Sequence, residues 1–231
     1  MLLSGCGEDV VRDSAKLDRH LIPALAFTRQ RDHARAMAAV ESFEAEWQTF
    51  RKSHYENGDS TWRATFDQVD TMIADAAAVI EAGEYITDAY GSLDDIRMLL
   101  FEWREDNDIE YLVDPLHEFQ EPLADLVRLV ANWNPESLKH EELGGLTELL
   151  GELEEIWLDM TDVEFDIGRY GMTEGEAESF ERLVGSVDYA ISQLGGALEA
   201  GDRTRADTAV RELEEWFGEV YAIFGDFEPE E

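Results

Sequence analysis

The chain has 231 residues and a formal net charge of −36, from 54 Asp and Glu against 18 Lys and Arg. A field this negative repels phosphate backbones, which argues against a nucleic-acid partner and against anionic membrane surfaces met without a lipid anchor. Apolar residues at 44% and aromatics at 10% supply a real core and are too many for a disordered acidic tail.

The chain opens on Met1-Leu2-Leu3-Ser4-Gly5-Cys6. Leu3-Ser4-Gly5-Cys6 resembles the lipobox of bacterial lipoproteins, the peptide cut before a cysteine that then receives lipid. The resemblance covers this segment alone and implies lipid attachment at Cys6, the single cysteine of the chain. A secretory leader needs a basic region and about 7–15 apolar residues before the cut. Only Met1-Leu2 precede the box, so the expected leader was lost to a late start or to trimming. One cysteine excludes an internal disulfide, a CxxCH heme attachment and a cysteine metal cluster. No run reaches the ~18 apolar residues of a transmembrane helix, so membrane attachment is expected through lipid alone.

Beyond the box, apolar residues step by three and four. Trp62, Phe66, Val69, Ile73, Ala76 and Ile80 form one seam, and Leu93, Ile96, Leu100 and Trp103 the next. Further seams run from Leu146 to Ile167, from Phe180 to Leu198 and from Ala206 to Phe224. This period marks helices packed at shallow angles, and no stretch alternates with period two. The fold class is therefore all-α, with about eight antiparallel amphipathic helices in one or two bundles. Helices are expected near 14–30, 33–53, 60–82, 84–106, 113–133, 135–166, 173–200 and 202–226. Breaks fall at Asn57-Gly58-Asp59, Gly83, Asn107-Asp108, Asn134-Pro135 and Gly171. Asn134 before Pro135 reads as an N-cap and first-turn pair. The expected organisation is a lipobox and tether over 1–12, bundles over 13–133 and 135–226, and an acidic tail over 227–231.

A weak repeat accompanies the seams. Asp32, Ala36, Ala39, Phe43 and Glu46-Trp47 match in type, 170 residues on, Asp202, Ala206, Ala209, Leu213 and Trp216-Phe217. Glu81-Ala82-Gly83-Glu84 likewise matches Glu199-Ala200-Gly201-Asp202. Duplication of a helical hairpin explains both, without the recurrent residues of tetratricopeptide repeats.

Five histidines are candidate ligands: His20, His33, His54, His117 and His140. None has Glu three positions earlier, the spacing a di-iron bundle uses. Asp114, His117 and Glu121 share one face of the fifth helix and form the candidate divalent-metal set, at the rim of the Leu116, Phe119, Leu123 seam. The overall arrangement resembles cytochrome b562-like four-helix bundles in architecture only. That resemblance implies heme held between Met and His, with no motif to match. Met37, Met72, Met98 and Met160 sit on seams or flanks, as gap-filling methionines do, and His20 borders the seam of the first helix. Trp47, Trp62, Trp103, Trp133, Trp157 and Trp216 read as core anchors.

No GxSxG, no phosphate-cradling GK[ST] loop and no Ser–His pair at useful spacing occurs, so no enzyme is expected. The charge has two readings. One is cation capture or a basic partner; the other is solubility in salty surroundings. Acid in every segment, with Lys16, Lys52 and Lys139 the only lysines, favours the second. The functional expectation is a lipid-anchored, non-enzymatic cell-envelope protein, on the periplasmic or outer-surface side, that acts as a binding or interaction module through its helical surfaces, with another envelope protein or cations among its candidate partners. The alternative is a periplasmic carrier of cations or of a metal such as iron or copper, with acidic helix faces as ligands. No other cofactor is expected.

Overall fold

A computed structural model describes residues 4–57, 60–83, 86–133, 140–163 and 165–227, with side chains throughout except at 4–8, 57, 60 and 140–142. Among the described residues there are eight α-helices and no strand: α1 (Ser4–Arg29), α2 (His33–His54), α3 (Ser60–Ala82), α4 (Ile86–Glu105), α5 (Val113–Asn132), α6 (His140–Asp162), α7 (Glu174–Glu199) and α8 (Arg203–Ala222). The all-α reading is right, and most boundaries lie within a few residues of those expected. The exception is α1. The span 1–12 was expected as lipobox and tether, yet the chain is helical from Ser4, with Val10 and Val11 buried. Acidic Glu8 and Asp9 hid the start, because Val10 and Val11 belong to a seam that continues through Ser14, Leu17 and Leu21.

The chain divides into two compact units. The first takes Met1–Tyr111, Asp166–Met172 and Phe224–Glu231; the second takes Leu112–Phe165 and Thr173–Ile223. Each is a ring of four helices in which sequence neighbours pack and the last closes on the first, α4 on α1 and α8 on α5. Short connections enforce this up-down-up-down order. Helix α5, expected within 13–133, belongs to the second unit. Its stripe of Leu116, Phe119, Leu123, Leu126 and Val130 is buried where α6 and α8 pack on it. The second unit thus starts at Leu112 rather than at the expected 135; the break expected at Asn134-Pro135 lies outside the described residues.

Two short segments return to the first unit. Tyr170 stacks on Tyr111 with ring centroids 5.8 Å apart and meets Phe224 edge-on at 6.0 Å. Phe227 packs edge-on against Phe27 at 5.7 Å, and the Asp226 amide donates to the Arg19 carbonyl at 2.7 Å. Arg19 in turn donates to the Gly171 carbonyl at 2.8 Å.

Aromatic rings fill the middle of the first unit. Trp47, Phe50, Phe66 and Trp103 pack together with centroid spacings of 5.2–5.8 Å. Each such pair adds about 0.5–1.5 kcal/mol beyond its buried area. The second unit has a smaller cluster, with Phe119 stacked on Phe217 at 4.6 Å and tilted on Trp157 at 5.5 Å. In both units an indole reaches out of the core to a carboxylate on the next helix. Trp47 Nε1 donates to Asp70 Oδ1, and Trp157 Nε1 to Asp188 Oδ1, each at 2.6 Å.

The repeat is visible in the backbone. Helices α1 and α7 both run for 26 residues. At the α1–α2 turn the Asp32 amide donates to the Phe27 carbonyl and the Arg31 amide to Thr28; at the α7–α8 turn Asp202 donates to Ala197 and Gly201 to Leu198. Asp32 and Asp202 then cap the following helices, accepting from the Arg35 and Arg205 amides at 3.1 Å each. The residue before each cap has positive φ, +60° at Arg31 and +65° at Gly201.

Candidate functional site

Cys6 falls within the span of α1, and its side chain lies outside the described residues. The lipid-attachment reading therefore rests on the sequence alone.

The candidate metal set does not assemble. Asp114 and His117 are buried, at 6% and 3% exposure, whereas Glu121 one turn later is exposed to solvent. His117 Nδ1 lies 2.9 Å from the Tyr221 hydroxyl of α8, with the two rings edge-on at 5.3 Å. Among the described residues, no group of three or more His, Cys, Asp or Glu side chains is placed to hold a metal ion. The rim position expected for Asp114, His117 and Glu121 is the error. The first turn of α5 is buried around most of its circumference, through Val113, Asp114, Leu116 and His117, and the helix becomes amphipathic only beyond Phe119. The stripe beyond Phe119 does not describe this first turn.

His20 was the histidine expected to face a core. It is only partly buried, and the buried histidines of the described residues are His54 and His117. His54 closes α2 beside α1, with Nε2 3.0 Å from Asp13 Oδ2 and its ring tilted on Phe50 at 4.6 Å. Burial pushes the Asp13 carboxyl up, but hydrogen bonds from Lys16 and His54, and the charges of both, outweigh it and hold the group below its ordinary value of 3.8. The pair stitches α1 to α2.

Buried charge recurs within the first unit where α1 and α4 approach Tyr111. Asp18, 4% exposed, accepts from the Tyr111 hydroxyl at 2.6 Å. The Arg104 guanidinium, 2% exposed, lies 4.6 Å from the centre of the same ring. Desolvated charges of this kind persist only when partnered, and their loss is costly. They hold Tyr111 and, through it, Tyr170.

The surface feature that sequence reasoning missed lies on the outer side of the α7–α8 hairpin. An open groove of about 280 Å³ is lined by Tyr189 and Gln193 of α7 and by Thr204, Arg205, Thr208 and Glu212 of α8. Tyr189 is 56% exposed, one of the few large apolar side chains left to solvent. Trp216, partly buried, stands beside it with ring centroids 6.5 Å apart. Helical spacing makes the groove: Tyr189 and Gln193 are four apart, as are Thr204, Thr208, Glu212 and Trp216, so each set lines one edge. The signal was present as an uncharged pair, Tyr189 and Gln193, and a stripe whose only charge is Glu212, in an acid-rich chain. Trp216 also borders the apolar seam of α8, which masks it as a surface residue in the pattern.

No protein-family model, curated protein or solved structure matches the chain.

Proposed function

We propose that the chain is a lipid-anchored, non-enzymatic protein of the cell envelope, exposed on the periplasmic or outer-surface side, that acts as a binding module through its helical surfaces. The α7–α8 groove carries the binding half of this reading. An exposed aromatic face bordered by hydroxyl, amide and carboxylate groups is what a recognition surface needs. Leu3-Ser4-Gly5-Cys6 carries the anchoring half. No helix of the described residues is long and apolar enough to cross a membrane. Attachment through Cys6 would place α1, and with it the first helical unit, next to the bilayer. The acid-rich surface keeps such a module soluble in salty surroundings.

The test is fractionation after expression from the gene together with its upstream sequence, in a host that processes lipoproteins. Wild-type chain is expected in the membrane fraction, with a mass increase at the N-terminal cysteine. Cys6→Ser is expected to move to the soluble fraction. A soluble wild type, or a Cys6→Ser variant that stays with the membrane, overturns the anchor.

A further inference from the structure

We propose that the α7–α8 groove binds a neutral carbohydrate, with Tyr189 as the platform for a sugar ring and Gln193, Thr208 and Glu212 as partners of its hydroxyls. This gives the binding-module reading its ligand, and it rests on that reading.

Three observations lead there. The first is that the two hairpins differ at this face. The α1–α2 hairpin has the same turn, the same Asp cap and the same buried Ala and Val positions, Ala36 and Val40 against Ala206 and Val210. At the places corresponding to Tyr189, Gln193, Thr204, Thr208 and Glu212 it carries Arg19, Pro23, Ala34, Ala38 and Ser42. In the first hairpin Arg19 bonds to Gly171 and to Asp226, and Pro23 is buried beside Gly225, so returning segments of the chain cover that edge, whereas Tyr189 on the α7–α8 hairpin is left more than half exposed.

The second is charge. On a chain of net −36, the groove has one guanidinium, Arg205, one carboxylate, Glu212, and otherwise uncharged side chains. An anionic ligand would meet the negative field of the whole chain, and a bare cation would find a single carboxylate. A neutral ligand rich in donors and acceptors meets neither obstacle.

The third is amphipathicity. Tyr189 offers a ring face more than half exposed, flanked by Trp216. Around it stand an amide that donates and accepts, a carboxylate that accepts, and hydroxyls. The Thr208 hydroxyl donates to the Thr204 carbonyl at 3.0 Å, which leaves its oxygen lone pairs to accept. Sugars have a C–H face that stacks on aromatic rings and an equatorial belt of hydroxyls that forms hydrogen bonds. A groove of about 280 Å³ lies just below the ~300–1,000 Å³ common for ligand clefts and suits one or two rings. Being open, it should bind weakly, with Kd from about 0.1 to a few mM.

The experiment uses the full chain carrying Cys6→Ser, titrated with neutral trisaccharides of glucose, xylose, mannose and N-acetylglucosamine, in β- and α-linked forms. Binding is read by saturation-transfer NMR and by tryptophan fluorescence. At least one sugar is expected to bind saturably with an affinity little changed by NaCl. Tyr189→Ala is expected to weaken it at least about tenfold and Gln193→Ala several-fold, with melting little changed because Tyr189 is more than half exposed and Gln193 is only partly buried. Absence of binding by every sugar at about 20 mM, or binding unaltered in Tyr189→Ala, overturns the proposal. So does tighter binding of a uronic-acid trisaccharide, titrated alongside, than of any neutral one. Failure here with Cys6-dependent membrane retention intact removes the sugar and leaves the anchored module standing. Sugar binding with no membrane retention does the reverse.

Discussion

At the residue scale, stability rests on a few side chains whose polar atoms leave an apolar core at a defined point. Trp47 is fully buried yet donates its indole N–H to Asp70. Trp47→Phe removes that bond and some volume, and should cost about 1–2 kcal/mol by chemical denaturation. Trp47→Ala should cost about 3–5 kcal/mol. A loss under half a kcal/mol for the alanine variant would contradict the packing described. Asp13 adds a pH dependence. Its carboxyl is held below the ordinary value of 3.8, so its contribution is fully present above that value and is lost as pH falls through the lower folded value. Acid titration of the melting temperature should therefore be shallower for Asp13→Asn than for wild type below about pH 4. Trp47, Trp103, Trp133 and Trp157 were legible in the sequence as core anchors because they sit on or beside 3.6-residue seams, whereas Trp62 and Trp216, read the same way, are only partly buried. The Asp13–His54 pair was not, since its partners are 41 positions apart and nothing in a periodic pattern names a cross-helix bond.

At the scale of elements, two of the hairpin turns can be compared directly. Arg31 and Gly201 occupy the same left-handed position after α1 and α7, with φ of +60° and +65°. A side chain with a Cβ costs about 1 kcal/mol there, whereas glycine fits freely. Arg31→Gly should therefore stabilise the chain by about 0.5–1 kcal/mol, and Gly201→Ala should destabilise it by about 1 kcal/mol. Opposite signs would mean that the turns are not equivalent. The start of α7 offers a similar check. Thr173 and Glu176 form a reciprocal capping box, with bonds of 3.2 and 2.6 Å, so Thr173→Ala should cost about 1 kcal/mol. Gly83, Asn107-Asp108 and Gly171 made several helix ends readable in the sequence. The start of α1 and the grouping of α5 were less so. Both depend on which tertiary surface covers a helix, and that surface is contributed by residues far away in the chain.

For the whole molecule, the question that divides a binding module from a cation carrier is what the 54 acidic side chains do. Many face solvent along the helices, and several pair locally with arginine, as Asp207 does with Arg211 and Asp125 with Arg128. Such exposed pairs add little individually. Unpaired like charges repel, and with Debye lengths near 30 Å at 0.01 M and about 3 Å at 1 M salt, added salt should relieve that repulsion. The direct measurement is a series of thermal melts across NaCl and KCl, repeated with micromolar calcium, zinc or iron and again with EDTA. A melting temperature that climbs steadily and equally with both salts, and is indifferent to divalent ions and chelator, is the predicted result. No response to salt, together with a saturable rise on one divalent ion that EDTA reverses, would contradict it and make the chain a metal carrier.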